Sequence, residues 1–147
     1  MPGSAVFRRE FPVKGGDFSK AGTVACRIKD ILKELGLDTQ TVRRAAIASY
    51  EAEMNVIMYA LEGRVKLAVS PGKVRIIVDD QGPGIADIKL AMTEGYSTAT
   101  PEMRELGFGA GMGLPNIKKN SDAFHIESQV GRGTRLEFTI HTNGHKP

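Results

Sequence analysis

Three short clusters in this sequence hold side chains and backbone suited to chemistry. The first is Glu51-Ala52-Glu53-Met54-Asn55. In a helix turning about 100° per residue, Glu51 and Asn55 lie roughly 40° apart on one flank, and Glu53 points to the other side. A carboxylate and an amide oxygen so placed can hold Mg²⁺ or orient a reacting hydroxyl. The second cluster is Asp79-Asp80-Gln81-Gly82-Pro83-Gly84, directly after the apolar run Val74 to Val78. A carboxylate at a strand end can accept a hydrogen bond from an exocyclic amine such as that of adenine, and glycines beside it let backbone approach a flat ring. The third is Gly107-Phe108-Gly109-Ala110-Gly111-Met112-Gly113. Successive glycines expose backbone N–H groups and the helix that follows adds its positive end, which together make a phosphate seat. Each cluster taken singly also has a plainer structural account: two polar residues on a helix flank, an Asp- and Gly-rich turn, a flexible loop.

The elements that must position these groups are legible in the pattern of apolar residues. Alternation over Phe7, Arg9, Phe11 and Val13 predicts an N-terminal strand, with Pro12 keeping its end at a sheet edge. After Gly15-Gly16, Asp17 or Ser19 is placed to cap a helix with Val24, Ile28, Ile31, Leu32 and Leu35 on one face, stopped by Gly36. A second helix starts near Asp38-Thr39 and runs to about Leu61, with an apolar stripe of Ile47, Tyr50, Met54, Ile57, Met58 and Leu61. Two hairpins follow, one over Val65–Val69 and Val74–Val78 around Ser70 to Lys73, the other over Phe124–Ser128 and Thr134–Ile140 around Gly131 to Gly133. Between them lies Gly82 to Gly113, with a short helix expected at Asp87 to Thr93 and a helix start at Leu114-Pro115. A loop of that length in a compact domain is characteristically functional. The order predicts an α/β two-layer sandwich, a mixed or antiparallel sheet covered by helices on one face.

The totals narrow the class of function. At 147 residues the chain suits a single domain spanning 1–147. Twenty basic and 17 acidic residues give a net charge of +3, too small and too scattered to point to nucleic acid. No run approaches the ~18 apolar residues of a membrane span, and the first residues lack the apolar block of a signal peptide. Cys26 is the only cysteine, which excludes an internal disulfide, fits a reducing cytoplasm and reads as a small core hydrophobe on the first helix. The expectation is a cytoplasmic protein with neither a membrane nor a nucleic-acid partner.

Two common glycine motifs do not fit the third cluster. GxGxxG read from Gly107 needs glycine at Met112, read from Gly109 it needs glycine at Leu114, and no register accommodates a P-loop. What does fit is the whole series: a helix with E-x-x-x-N, a strand with D-x-G-x-G, a long loop with G-x-G-x-G, a helix, then a hairpin. This series resembles the N, G1 and G2 boxes of the GHKL (Bergerat-fold) ATP-binding superfamily, over roughly residues 40 to 140. The stretch from Gly82 to Thr134 is most similar to the stand-alone branch of anti-sigma-factor serine/threonine kinases and stress-signalling switch kinases, and Gly133-Thr134 resembles the Gly-Thr pair that closes the adenine pocket in that superfamily. No histidine precedes the clusters, as a histidine kinase's phospho-acceptor helix would require; His125, His141 and His145 all fall late.

Carried over position by position, the resemblance implies ATP with Mg²⁺ as cofactors, Glu51 as general base for an incoming hydroxyl and Asn55 as the Mg²⁺ ligand. It implies Asp80 as the adenine contact, with Gly82 and Gly84 shaping the adenine wall and Thr134 joining the hydrogen bonds on that side. Gly109, Gly111 and Gly113 line the phosphates, and residues 94–110 form an ATP lid. The implied partners are a STAS-domain anti-anti-sigma protein, which receives the phosphate, or a sigma factor. Relatives form a homodimer through the N-terminal sheet region, and here the Phe7 to Val13 strand either serves that contact or completes the sheet. Two positions depart from the pattern. Relatives often carry an arginine before the final glycine pair to reach the γ-phosphate, where this chain has Gly109-Ala110; Arg104, Lys118 and Lys119 are the substitutes on offer. Tyr59 or its neighbour stands where many relatives have a histidine or another polar group. The alternative reading that follows is a nucleotide-gated regulatory module without effective kinase activity.

Overall fold

A computed structural model of the chain describes residues 7–93 and 113–142. In chain order the elements are strand β1 (Phe7–Lys14), a 3-10 turn (Phe18–Lys20), helices α1 (Thr23–Glu34) and α2 (Thr39–Tyr59), strands β2 (Glu62–Ser70) and β3 (Lys73–Gln81), helices α3 (Ile88–Ala91) and α4 (Gly113–Lys119), and strands β4 (Ala123–Gln129) and β5 (Gly133–His141). The strands form one sheet in the order β1-β2-β3-β5-β4. Every neighbouring pair is antiparallel, with Val65 opposite Val78 and Ile76 opposite Phe138 in its centre. The architecture is therefore the α/β sandwich expected from the sequence, with the sheet in its antiparallel form.

Strict alternation in β2, β3 and β5 turns Val65, Leu67, Val69, Val74, Ile76, Val78, Leu136, Phe138 and Ile140 inward against the helices, all buried. Side chains of this kind each contribute about 1.5–3 kcal/mol on burial. The opposite face is polar and tied by cross-strand ion pairs, among them Arg64 to Glu10 (2.8 Å), Arg75 to Glu137 (2.8 Å) and Asp79 to both Lys66 (3.3 Å) and Arg135 (3.0 Å). Pro12 sits in β1, which among the described residues is an edge strand paired with β2, where a missing N–H is tolerated. Among the described residues, no helix is long and apolar enough to cross a membrane.

The two long helices depart from the sequence reading in instructive ways. Neither Asp17 nor Ser19 caps α1: Asp17 opens the 3-10 turn, and α1 begins after Gly22. The start of α1 is held instead from another helix. Glu53 of α2, 1% exposed, accepts hydrogen bonds from the N–H groups of Val24 (3.2 Å, at Oε2) and Ala25 (3.0 Å, at Oε1). Burial pushes the Glu53 carboxyl up from its ordinary value, and those backbone donors oppose the shift. Replacing Glu53 with alanine would leave buried N–H groups at the positive end of a helix without an acceptor. We expect a loss on the order of 3 kcal/mol in denaturant unfolding; a loss of under about 1 kcal/mol would show that these donors find water instead.

Cys26 is exposed, not in the core. The buried face of α1 is Val24, Ala25, Ile28, Ile31 and Leu32, and Cys26 lies about 200° around the helix from Val24 and from Ile28. The expected stripe on α2 is also only partly right. Met54 and Ile57 are buried, but Tyr50 is 38% and Leu61 78% exposed. The face pressed inward is lined by Ala45, Ala48, Ala52 and Val56 instead, each almost fully excluded from solvent. Alanines let α2 come close to its neighbours, so the largest residues end up on its margins. The helix itself starts as expected, with Asp38 Oδ2 accepting the Thr41 N–H (3.1 Å).

Candidate functional site

Glu51 and Asn55 project from the same flank of α2, and the first residue of α4 meets them there. A Cβ added to Gly113 would lie 3.2 Å from Asn55 Oδ1 and 3.7 Å from Glu51 Oε1. Glycine at this position thus lets backbone run directly past both oxygens, leaving a small cradle that any other side chain would begin to fill. Glu51 is held from the same side, because Asn116 Nδ2 of α4 donates to Glu51 Oε2 (3.0 Å). Pro115 is the third residue of α4, close to the first-turn position expected for it.

Asp80 anchors a second cluster. It is half-buried near the end of β3, and its Oδ1 accepts the backbone N–H of Thr134 (3.1 Å) at the start of β5. The segment after it folds back onto the β4–β5 turn: Gly131 N–H donates to Pro83 O (2.8 Å) and Gly82 N–H to Arg132 O (3.2 Å). Gly84 adopts φ +76°, and a Cβ there would collide with the Gln129 carbonyl, so this position requires glycine both for conformation and for space. A Cβ on Gly82 would stand 3.3 Å from Asp80 Oδ1. The Thr134 hydroxyl bonds to the Ser128 hydroxyl (2.8 Å), which in turn accepts the Ile85 N–H (2.7 Å). Asp80, Gly82, Gly84 and Thr134 therefore form one connected wall.

Desolvation pushes the Asp80 carboxyl above its ordinary value of 3.8, the Thr134 N–H opposes that shift, and the nearby Asp79 charge adds to it. The sign of the stability effect follows. A carboxyl that holds its proton more tightly when folded contributes stability that is complete below its unfolded pKa and disappears as pH rises through the folded value. The carboxamide introduced by Asp80→Asn cannot titrate. Melting temperatures of Asp80→Asn relative to the unsubstituted protein should therefore climb as pH rises from about 4 and then level off. A difference that stays flat across that range would contradict the assigned shift.

Of the residues singled out in the sequence, Glu51, Asn55, Asp80, Gly82, Gly84, Gly113 and Thr134 fall in these two clusters. Gly109 and Gly111, Arg104 and the lid at 94–110 lie outside the described residues. Three positions whose hydrogen bonds hold these elements together escape a reading of the sequence: Glu53, Asn116 and Ser128. Each acts through a partner at least five residues away in the chain, up to 65 for Asn116, and no local pattern signals such a pairing.

The donor set fits a magnesium nucleotide. Mg²⁺ keeps several waters and takes one or two protein oxygens along with substrate phosphates, so Asn55 Oδ1 beside the open Gly113 backbone is an adequate protein contribution. Among the described residues no group of three or more His, Cys, Asp or Glu gathers as a dedicated metal cage. The half-buried Asp80 carboxylate among glycines suits a flat base bearing an amine.

The chain belongs to the family of histidine kinase-, DNA gyrase B- and HSP90-like ATPases, which matches residues 42–144. Within it, the chain is 35% identical over 113 residues to the serine/threonine-protein kinase RsbT of Bacillus subtilis, covering 74% of this chain and 79% of that protein. It is 33% identical over 101 residues to an anti-sigma F factor of a Thermoanaerobacter species, covering 65% of this chain and 67% of that factor. A solved structure of the RsbU and RsbW domains of Rv1364c from Mycobacterium tuberculosis superposes with a TM-score of 0.64 at 19% identity over 93% of this chain. The chain spans 32% of that longer one, and the likeness establishes the fold.

Proposed function

We propose that this protein is an ATP-dependent serine/threonine protein kinase of the anti-sigma regulatory type, transferring the γ-phosphate to a STAS-domain antagonist. The observation that carries the reading is the meeting of Glu51, Asn55 and the Gly113 backbone at the end of the glycine run; in this reading the Asp80 cluster takes the adenine base. Phosphoryl transfer asks for positioning and charge neutralisation more than for covalent chemistry, and a small set of side chains meets that need.

In this reading the free carboxylate oxygen of Glu51 accepts the proton of the incoming serine or threonine hydroxyl. Asn55 Oδ1 holds Mg²⁺, which when bound neutralises charge on the triphosphate. Asp80 accepts from the adenine amine, Gly82, Gly84 and Thr134 complete that wall, and Gly109, Gly111 and Gly113 offer N–H groups to the phosphates. Residues 94–110 close as a lid, and residues 1–147 act as one domain. A homodimer that engages either a sigma factor or the STAS protein completes the proposal, with the cytoplasm as its place of action.

The test is transfer of label from γ-³²P-labelled ATP with Mg²⁺ to purified STAS-domain proteins of the same organism, with the site mapped by mass spectrometry. Phosphate on a serine or threonine of one of them is the expected result. The replacement of a γ-phosphate arginine by Gly109-Ala110 favours one other outcome: partner capture that differs between ATP and ADP with no phosphoprotein formed. That result would make the protein a nucleotide-gated binding module and not a kinase.

A further inference from the structure

We propose that Asn116 is the positioning residue for Glu51, fixing which carboxylate oxygen faces the reacting groups. The inference rests on the reading of Glu51 as general base and adds a residue to that machinery. Asn116 Nδ2 lies 3.0 Å from Glu51 Oε2 across a sequence separation of 65 residues. A carboxylate only accepts, so the carboxamide must present its nitrogen here, and the contact has one orientation. Asn116 is itself well anchored. Its backbone carbonyl accepts from Asn120 N (3.2 Å) and from Asn120 Nδ2 (2.9 Å), and its neighbours Leu114, Pro115 and Ile117 are buried.

The consequence for Glu51 is a division of labour between its two oxygens. Oε2 is occupied by Asn116, while Oε1 is the oxygen that approaches the Gly113 cradle, 3.7 Å from where a Cβ would stand. Gly113 and Asn116 are one turn apart on α4, so the helix that follows the glycine run delivers both the phosphate-facing backbone and the donor that aims the base. A base held in this way is pre-oriented without a rotamer search, and a misplacement of about 1 Å costs on the order of 100-fold in rate.

Two measurements on the full chain test this. In ¹H–¹⁵N spectra, the Asn116 carboxamide pair is assigned by its loss in Asn116→Asp. One of its protons should sit downfield in the unsubstituted protein and return to the ordinary amide position in Glu51→Ala. An Asn116 signal indifferent to Glu51→Ala overturns the inference without any reference to activity.

The second measurement is kinetic, with the STAS-domain acceptor of the transfer assay. Asn116→Leu should lower kcat by about 10- to 100-fold while KM for ATP stays within about twofold. Asn116→Asp keeps the shape of the side chain, covering the case in which the leucine variant misfolds. Its carboxylate has no donor for Glu51 Oε2, so kcat should fall as in the leucine variant while KM for ATP again stays within about twofold. Unchanged kcat in Asn116→Leu, or a fall in kcat matched by a rise in KM, overturns the role. If Glu51→Ala is inactive and Asn116→Leu is normal, only this inference falls. If Glu51→Ala transfers normally, the base assignment falls and takes this inference with it.

Discussion

Glu51→Ala is expected to reduce phosphate transfer to the STAS-domain acceptor by about 10²- to 10⁴-fold, the range associated with losing a general base. Nucleotide affinity should be nearly unchanged, because the proposed adenine wall and phosphate donors belong to other residues. The fold should also survive. Glu51 is only partly buried, and the residue on α2 whose carboxylate secures α1 is Glu53, on the other side of the helix. Transfer and binding are read on the same preparation, by labelled product and by calorimetry. Normal transfer would mean that another group takes the proton, and a parallel loss of binding would mean that Glu51 supports the nucleotide and not the chemistry.

The second large effect is on affinity. In Asp80→Asn the amide oxygen can still accept the Thr134 N–H that Asp80 Oδ1 accepts now (3.1 Å), so the wall stays assembled. In the proposed reading, what changes is the oxygen left for the adenine amine, which becomes an NH₂ facing that amine. Losing a hydrogen bond to a charged acceptor is worth about 1.5–3 kcal/mol, or roughly 10- to 100-fold in Kd. Titration of Mg-ATP in a calorimeter measures this directly. An affinity equal to that of the unsubstituted protein would place the purine elsewhere.

Much of this molecule is legible in its sequence, for reasons that can be traced to particular residues. Period-two alternation around Val65–Val69, Val74–Val78 and Thr134–Ile140 defines central strands because one face of the sheet is buried and the other carries ion pairs. Asp38 marks the start of α2 because its side chain has a backbone N–H to bond three residues on. The E-x-x-x-N spacing places Glu51 and Asn55 together because the helical repeat leaves no alternative. Chemistry spread over local motifs survives in one dimension.

What is not legible depends on contacts between distant segments. The buried side of α2 is hard to see in the sequence because Ala45, Ala48 and Ala52 carry little hydrophobic weight, although small residues are what allow close helix packing. Tyr50 and Leu61 draw attention by size and are exposed. Nearby Asp17 and Ser19 look like caps for α1 because capping is ordinarily local, whereas the acceptor comes from Glu53, 28 residues from Ala25. Asn116 is one polar residue in a short helix until α4 is set against α2.

Helix α2 sets a limit on how this chain can change in length. Glu51, Glu53 and Asn55 alternate between two jobs on opposite sides of one rod, the middle one anchoring α1 and the outer two facing α4. Inserting or deleting a single residue between them would turn everything beyond it by about 100°. No loop intervenes to absorb such a twist. Insertions in the Pro71-Gly72 turn should be harmless by comparison, while indels from Glu51 to Asn55 should abolish both the anchor and the pairing in one event.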